Sequence, residues 1–206
     1  MKASDKFILY DKFNTPLTKQ EFFKVRSLYL NCIVNNEFSL QSTSAIIEQI
    51  QLVKRQPKKI GPYKNLTVFE ALNRIASDLV LLEGTRLIFN GKIPEIIPNT
   101  IKLNMGNKNG FDFIVNTTSN TMVYGEAFNV AHSFAKVKMR QTVDKIVKYT
   151  SLHKTNQAII FCNKVVKQTL LKYKNEKEEK LLQQQFVIHK LFCDYENIST
   201  LITTTN

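Results

Sequence analysis

The chain has 206 residues, with 29 Lys and Arg against 17 Asp and Glu for a formal charge of +12. Its 43% hydrophobic content, including 14 Phe and 7 Tyr, is enough to build a packed core and excludes a globally disordered chain. No apolar run approaches the ~20 residues that a membrane span needs. The three cysteines, Cys32, Cys162 and Cys193, have neither a disulfide-framework nor a zinc spacing. The expectation is a soluble, cytoplasmic, basic protein.

Elements follow in chain order. Thr18 and Glu21 have the spacing of a capping box, and Phe22, Val25, Leu28 and Tyr29 follow at helical spacing. Phe38 and Leu40 fall in a connection. A second helix is expected from about Ser44, with Ile46, Ile50 and Val53 on one face, ending in a basic loop around Pro57. Gly61 and Pro62 continue that punctuation. Thr67 and Glu70 form another capping box, opening a helix whose stripe is Leu72, Ile75, Ala76, Leu79 and Leu82. Gly84 stands as its stop, with a short strand expected at Arg86–Phe89.

The period then changes. Ile101–Met105, Phe111–Asn116 and Met122–Phe128 read as three strands of an antiparallel meander, with turns at Gly106–Gly110 and Thr117–Asn120. A long helix is expected over 133–149, with apolar positions Val137, Val143, Ile146 and Val147. A buried strand at Gln157–Cys162, helical spacing over Lys164–Lys174, a solvated charged stretch at Lys177–Lys180 and a final strand at Phe186–Cys193 complete the chain. The fold class is α/β, a central mixed β-sheet flanked by helices. One domain is expected over 1–206, with an N-terminal helical part (1–64), a core (65–165) and a C-terminal helix and strand (166–206).

The net charge points to a polyanionic partner, most commonly nucleic acid. Its weight is reduced by composition: 24 of the 29 basic residues are Lys and 19 residues are Asn, a bias that AT-rich codons produce by themselves. Lys also meets phosphate as a point charge without reading bases. The acids are more informative. Asp112 and Glu126 each sit among apolar residues of neighbouring strands. A buried carboxylate is costly, and two together are worse unless a cation compensates. Mg²⁺ suits such a pair, because it takes one or two carboxylates and completes its shell with water and phosphate oxygens.

Gly110-Phe111-Asp112-Phe113 and Gly125-Glu126-Ala127-Phe128, thirteen residues separating the acids, resemble the PD-(D/E)xK nuclease superfamily, which includes many type II restriction endonucleases. The resemblance spans about 65–165. It implies an α-β-β-β-α-β restriction-endonuclease-like core and a Mg²⁺-dependent DNA endonuclease, with Asp112 and Glu126 as metal ligands and double-stranded DNA as substrate. It further implies a homodimer and a companion DNA methyltransferase that protects host DNA.

The chain departs from the pattern at two places. Phe111 stands where the family has Pro, and Phe128 stands where it has Lys. The superfamily allows that Lys to move onto the next helix, where Lys138 is the first candidate, sharing a face with Phe134, then Lys136, with Asn129 a further polar candidate. Glu70 is a candidate third acid, although capping alone accounts for it; Asp78 and Glu83 read as solvated. Phosphate contacts are expected from Lys58 and Lys59 before the core and from Lys136 and Arg140 after Glu126. Arg55, Arg74, Arg86 and Arg140 are the candidate guanine readers. A nuclease-fold DNA-binding protein without catalysis, motivated by Phe128, and a repair or junction nuclease are the alternatives.

Overall fold

The computed structural model describes residues 5–35, 45–105, 110–150 and 155–195. The connection at Phe38 and Leu40, the helix start at Ser44 and the turn residues 106–109 lie outside them. The elements are α1 (Tyr10–Phe13), α2 (Lys19–Val34), α3 (Ile46–Arg55), β1 (Pro57–Ile60), β2 (Tyr63–Thr67), α4 (Val68–Phe89), β3 (Pro98–Leu103), β4 (Phe113–Thr117), β5 (Met122–Phe128), α5 (His132–Thr150), β6 (Gln157–Asn163), a 3₁₀ turn (Lys164–Val166), α6 (Lys167–Leu171), α7 (Glu176–Gln183) and β7 (Val187–Cys193).

The fold is mixed α/β. Five strands form one sheet in the order β3-β4-β5-β6-β7, antiparallel through β5 and parallel from β5 onward. The change of direction follows from the connections. Four residues, Thr118 to Thr121, join β4 to β5 as a hairpin, whereas α5 carries the chain back so that β6 can run beside β5 in parallel. Strand β6 shows how the sheet is covered. Ile159 and Phe161 belong to a core shared with α2 and α4, while Ala158, Ile160 and Cys162 belong to one shared with α5, α6 and α7. Side chains alternate along a strand, so helices pack on both faces.

Both capping boxes form, Thr18 with Glu21 and Thr67 with Glu70. Several expectations are corrected. The basic segment at Pro57 is a strand, paired with β2 across a tight turn in which Gly61 adopts φ +52°. Pro57 is tolerated because it begins the strand. Helix α4 does not stop at Gly84 but runs on to Phe89, which removes the short strand expected there. Gly84 lies against the ring of Phe161, and a Cβ at this position would fall 2.3 Å from it. The glycine permits α4 to press onto the sheet. Phe161 stacks on Phe113 at 4.2 Å, and Phe113 in turn covers Gly125, where a Cβ would fall 1.9 Å from the ring.

Leu72 is exposed, and the helix is buried all round from Asp78 to Thr85. In that stretch Asp78 and Glu83, read as solvated from sequence, are both buried. Glu83 Oε1 and Oε2 accept from Arg86 at 2.6 and 2.8 Å, and Arg26 of α2 lies 3.9 Å away. Ile46 and Ile50 of α3 are exposed, as are Phe134 and Val137 of α5. Among the described residues no helix is long and apolar enough to cross a membrane.

Candidate functional site

The two acids meet where the sheet opens. The β4–β5 ladder begins at Phe113 opposite Gly125, and β5 continues through Glu126, Ala127 and Phe128 paired to β6 alone. Asp112 stands one residue before β4, at a bend, rather than inside the strand as its apolar neighbours suggested. Its backbone carbonyl still accepts from Asn104 N at 2.8 Å. Its side chain takes over on the other edge: Oδ2 accepts from Ala127 N at 2.8 Å. The carboxylate thus satisfies a strand amide that β4 no longer reaches. Asn104 Nδ2 fixes the approach to this bend by donating to the Phe111 carbonyl at 2.6 Å.

Glu126 follows Gly125 on β5 and is buried, on the side of the sheet that α5 covers. Its Oε1 accepts from Lys145 Nζ at 2.6 Å. The same ammonium donates to the Gly110 carbonyl at 2.5 Å and stands 5.0 Å from the centre of the Phe111 ring. Lys145 therefore ties α5 to both acid-bearing segments. Burial raises the pKa of Asp112 and of Glu126, and the Asp112 charge raises Glu126 further. Lys145 and Lys138 oppose this rise at both acids.

A cleft of about 370 Å³ opens on the α4 side of Asp112, with Tyr63, Arg74, Asp78 and Asn104 among its walls. Asp78 Oδ2 accepts from the hydroxyl of Tyr29 at 2.7 Å and from that of Tyr63. Burial pushes the Asp78 carboxyl up to about 7, against the pull of the two hydroxyls.

The other candidates are placed as follows. Lys138 is half-buried and its charge reaches the acid pair, but the apolar anchor used to choose it fails, because Phe134 is exposed. Lys136 is exposed. Glu70 is exposed at the start of α4, bonded to Thr67 N and Oγ1; neither it nor Glu126, which faces α5, is among the walls of the cleft. Phe128 is buried in the core on the α5 side. Asn129 Oδ1 accepts from Tyr195 at 2.9 Å. Lys58 and Lys59 are exposed on β1, and Lys136 and Arg140 are exposed on α5, elements that pack toward opposite faces of the sheet.

Lys145 is the residue beside the acids that sequence reasoning did not single out. A signal existed: it follows Lys138 by seven residues, two helical turns, and so shares its face. Asp78 also had one, since a helix that continues Leu79-Val80-Leu81-Leu82 has no solvent side.

Among the described residues no group of three or more His, Cys, Asp and Glu side chains gathers at one point. The acid pair fits a hard divalent cation by its chemistry: two carboxylates that feel each other's charge, Glu126 buried and Asp112 half-buried. Compared with known proteins, the chain matches no family model, no curated protein and no solved structure.

Proposed function

We propose that this chain is a Mg²⁺-dependent DNA endonuclease of the PD-(D/E)xK type, acting as a sequence-specific type II restriction enzyme. One observation carries the proposal: a buried and a half-buried carboxylate, Glu126 and Asp112, at the opening of a sheet, with Lys145 Nζ 2.6 Å from Glu126. The order α4-β3-β4-β5-α5-β6 supports it, being the order of that superfamily's core.

Asp112 and Glu126 would hold the metal. A divalent ion bound there supplies positive charge to the phosphodiester oxygens and makes a coordinated water more acidic. Lys145 takes the role of the Lys absent from position 128: it holds Glu126 in place and presents an ammonium beside the acids. Lys138, one face of α5 shared, adds positive potential. Lys58, Lys59, Lys136 and Arg140 gather the DNA backbone from the two sides of the sheet. A homodimer would present two such sites to the two strands, and a companion methyltransferase would protect host DNA.

The test is incubation of unmethylated plasmid with and without Mg²⁺, using the parent, Asp112→Asn, Glu126→Gln and Lys145→Met. Fixed-position cutting by the parent with Mg²⁺, reduced at least a hundredfold in each variant, is the expected result. Equal cutting by the parent and the two acid variants would sink the proposal. Salt-sensitive DNA binding without any cutting would favour a nuclease-fold binding protein, the reading that Phe128 motivates.

A further inference from the structure

The cleft beside Asp112 has a cation whose position the acid pair does not explain. Among the described residues, Arg74 is the one Lys or Arg that lines it. It sits on α4 four residues before Asp78, so the two share a face of the helix. Its charge acts on Asp78 and on the Tyr63 hydroxyl, yet among the described residues no carboxylate lies within 4.0 Å of Arg74 to close an ion pair. Asp78 already accepts from two tyrosine hydroxyls. The Arg74 guanidinium carbon lies 5.8 Å from the centre of the Tyr63 ring, within reach of a cation–π contact.

The neighbouring polar side chains are largely engaged in shaping the cleft. Ser77 Oγ donates to the Asn73 carbonyl at 3.2 Å, and Asn104 Nδ2 to the Phe111 carbonyl. Arg74 is therefore the charged donor that the cleft offers to an incoming group. A planar guanidinium with several N–H groups in one fork matches the non-bridging oxygens of a phosphate better than a lone ammonium does.

We propose that Arg74 is a positioning residue that binds a backbone phosphate of DNA in this cleft and so sets the strand against the acid pair. The proposal rests on the nuclease reading for its substrate, but not for its chemistry. The anchored phosphate is assigned to the polynucleotide rather than to free phosphate, because the cleft opens beside Asp112, a candidate metal ligand, in a chain of net charge +12.

Three measurements on the full chain test it. Cleavage kinetics should show Arg74→Gln raising KM for DNA about tenfold with a smaller change in kcat. Anisotropy of a labelled duplex, with Ca²⁺ in place of Mg²⁺, should show about tenfold weaker binding and a salt slope shallower by about one. In the unmodified protein, short duplex should slow phenylglyoxal modification of Arg74, mapped by mass spectrometry, whereas equimolar inorganic phosphate should not. This last measurement does not depend on the variant folding. Unchanged Arg74 labelling under saturating duplex, or a folded Arg74→Gln that binds duplex like the parent with the same salt slope, would overturn the proposal. Protection by inorganic phosphate as strong as that by duplex would overturn the assignment to DNA. If duplex protects Arg74 while the parent never cuts, the nuclease reading fails and the anchor stands; if the parent cuts and Arg74 is indifferent, the reverse holds.

Discussion

Replacing Lys145 with Met removes the ammonium and keeps much of the aliphatic stem over Phe111. The lost bonds are those to Glu126 Oε1 at 2.6 Å and to the Gly110 carbonyl at 2.5 Å. A hydrogen bond to a charged group contributes roughly 1.5–3 kcal/mol, and the Lys145 side chain is 41% exposed, so solvent screening favours the lower half of that range. About 2 kcal/mol is expected at pH 8, which for a chain of this size lowers Tm by about 6 °C. The loss should depend on pH. Burial already raises the Glu126 and Asp112 pKa values above their ordinary ones, and removing the cation raises them further. The native state therefore holds more protons than the unfolded state between the ordinary and the raised values. Stability is highest below the ordinary carboxylate range and falls as pH rises through the raised one. At pH 5, below the value of about 7 to which Glu126 is raised, the deficit of the variant should shrink to less than half of its pH 8 value. The assay is thermal and urea unfolding of parent, Lys145→Met, Glu126→Gln and the double variant from pH 5 to pH 8. A deficit that is the same at every pH, or a double variant whose losses simply add, would refute the electrostatic account of this contact.

Gly84→Ala sets two effects against each other. Ala gains about 1 kcal/mol in helix propensity, but its Cβ would meet the Phe161 ring at 2.3 Å, and overpacking costs roughly 1–3 kcal/mol. A net destabilisation of about 1–2 kcal/mol by urea denaturation is expected, and a variant as stable as the parent would show that α4 can lift away from the sheet. Asp78→Asn removes a carboxyl raised to about 7, whose contribution to stability is present at pH 4 and lost as pH rises to 7. The parent should therefore lose stability relative to the variant across that window, by about 4 kcal/mol at most, and parallel pH profiles would exclude the effect. Glu70→Ala should cost about 1 kcal/mol through its cap and leave cleavage per folded molecule unchanged; lost cleavage with intact folding would place Glu70 in the site.

The sheet was legible because its strands announce themselves locally. Phe111, Phe113 and Val115 alternate, the residues from Thr117 to Asn120 turn, and β5 spans the residues read for it. The two capping boxes set the starts of α2 and α4 within a residue, since a cap is a contact between neighbours in sequence. Features decided by distant packing were not legible. Gly84 looks like a helix stop until Phe161, 77 residues later, is seen to occupy the space a side chain would take. Asp78 looks solvated until two tyrosines from α2 and β2 are found bonded to it. That Asp112 and Glu126 lie near each other was legible because the hairpin joining them is local, but Asp112 stands at a bend before β4 rather than among the strand residues. Lys145 was not, because a lysine on a helix is common and only the tertiary position of α5 places this one against Glu126.

The bond from Ala127 N to Asp112 Oδ2 makes one carboxylate both a candidate ligand and a structural peg of the sheet. The consequence is practical. Truncation to Ala would orphan a strand amide, at roughly 1–3 kcal/mol, so lost activity in Asp112→Ala would mix damaged scaffold with lost chemistry. Asn keeps an oxygen for that amide and changes only the charge. Whatever the site does, the backbone alone favours Asp or Asn at position 112, the side chains that offer that amide an oxygen at this reach.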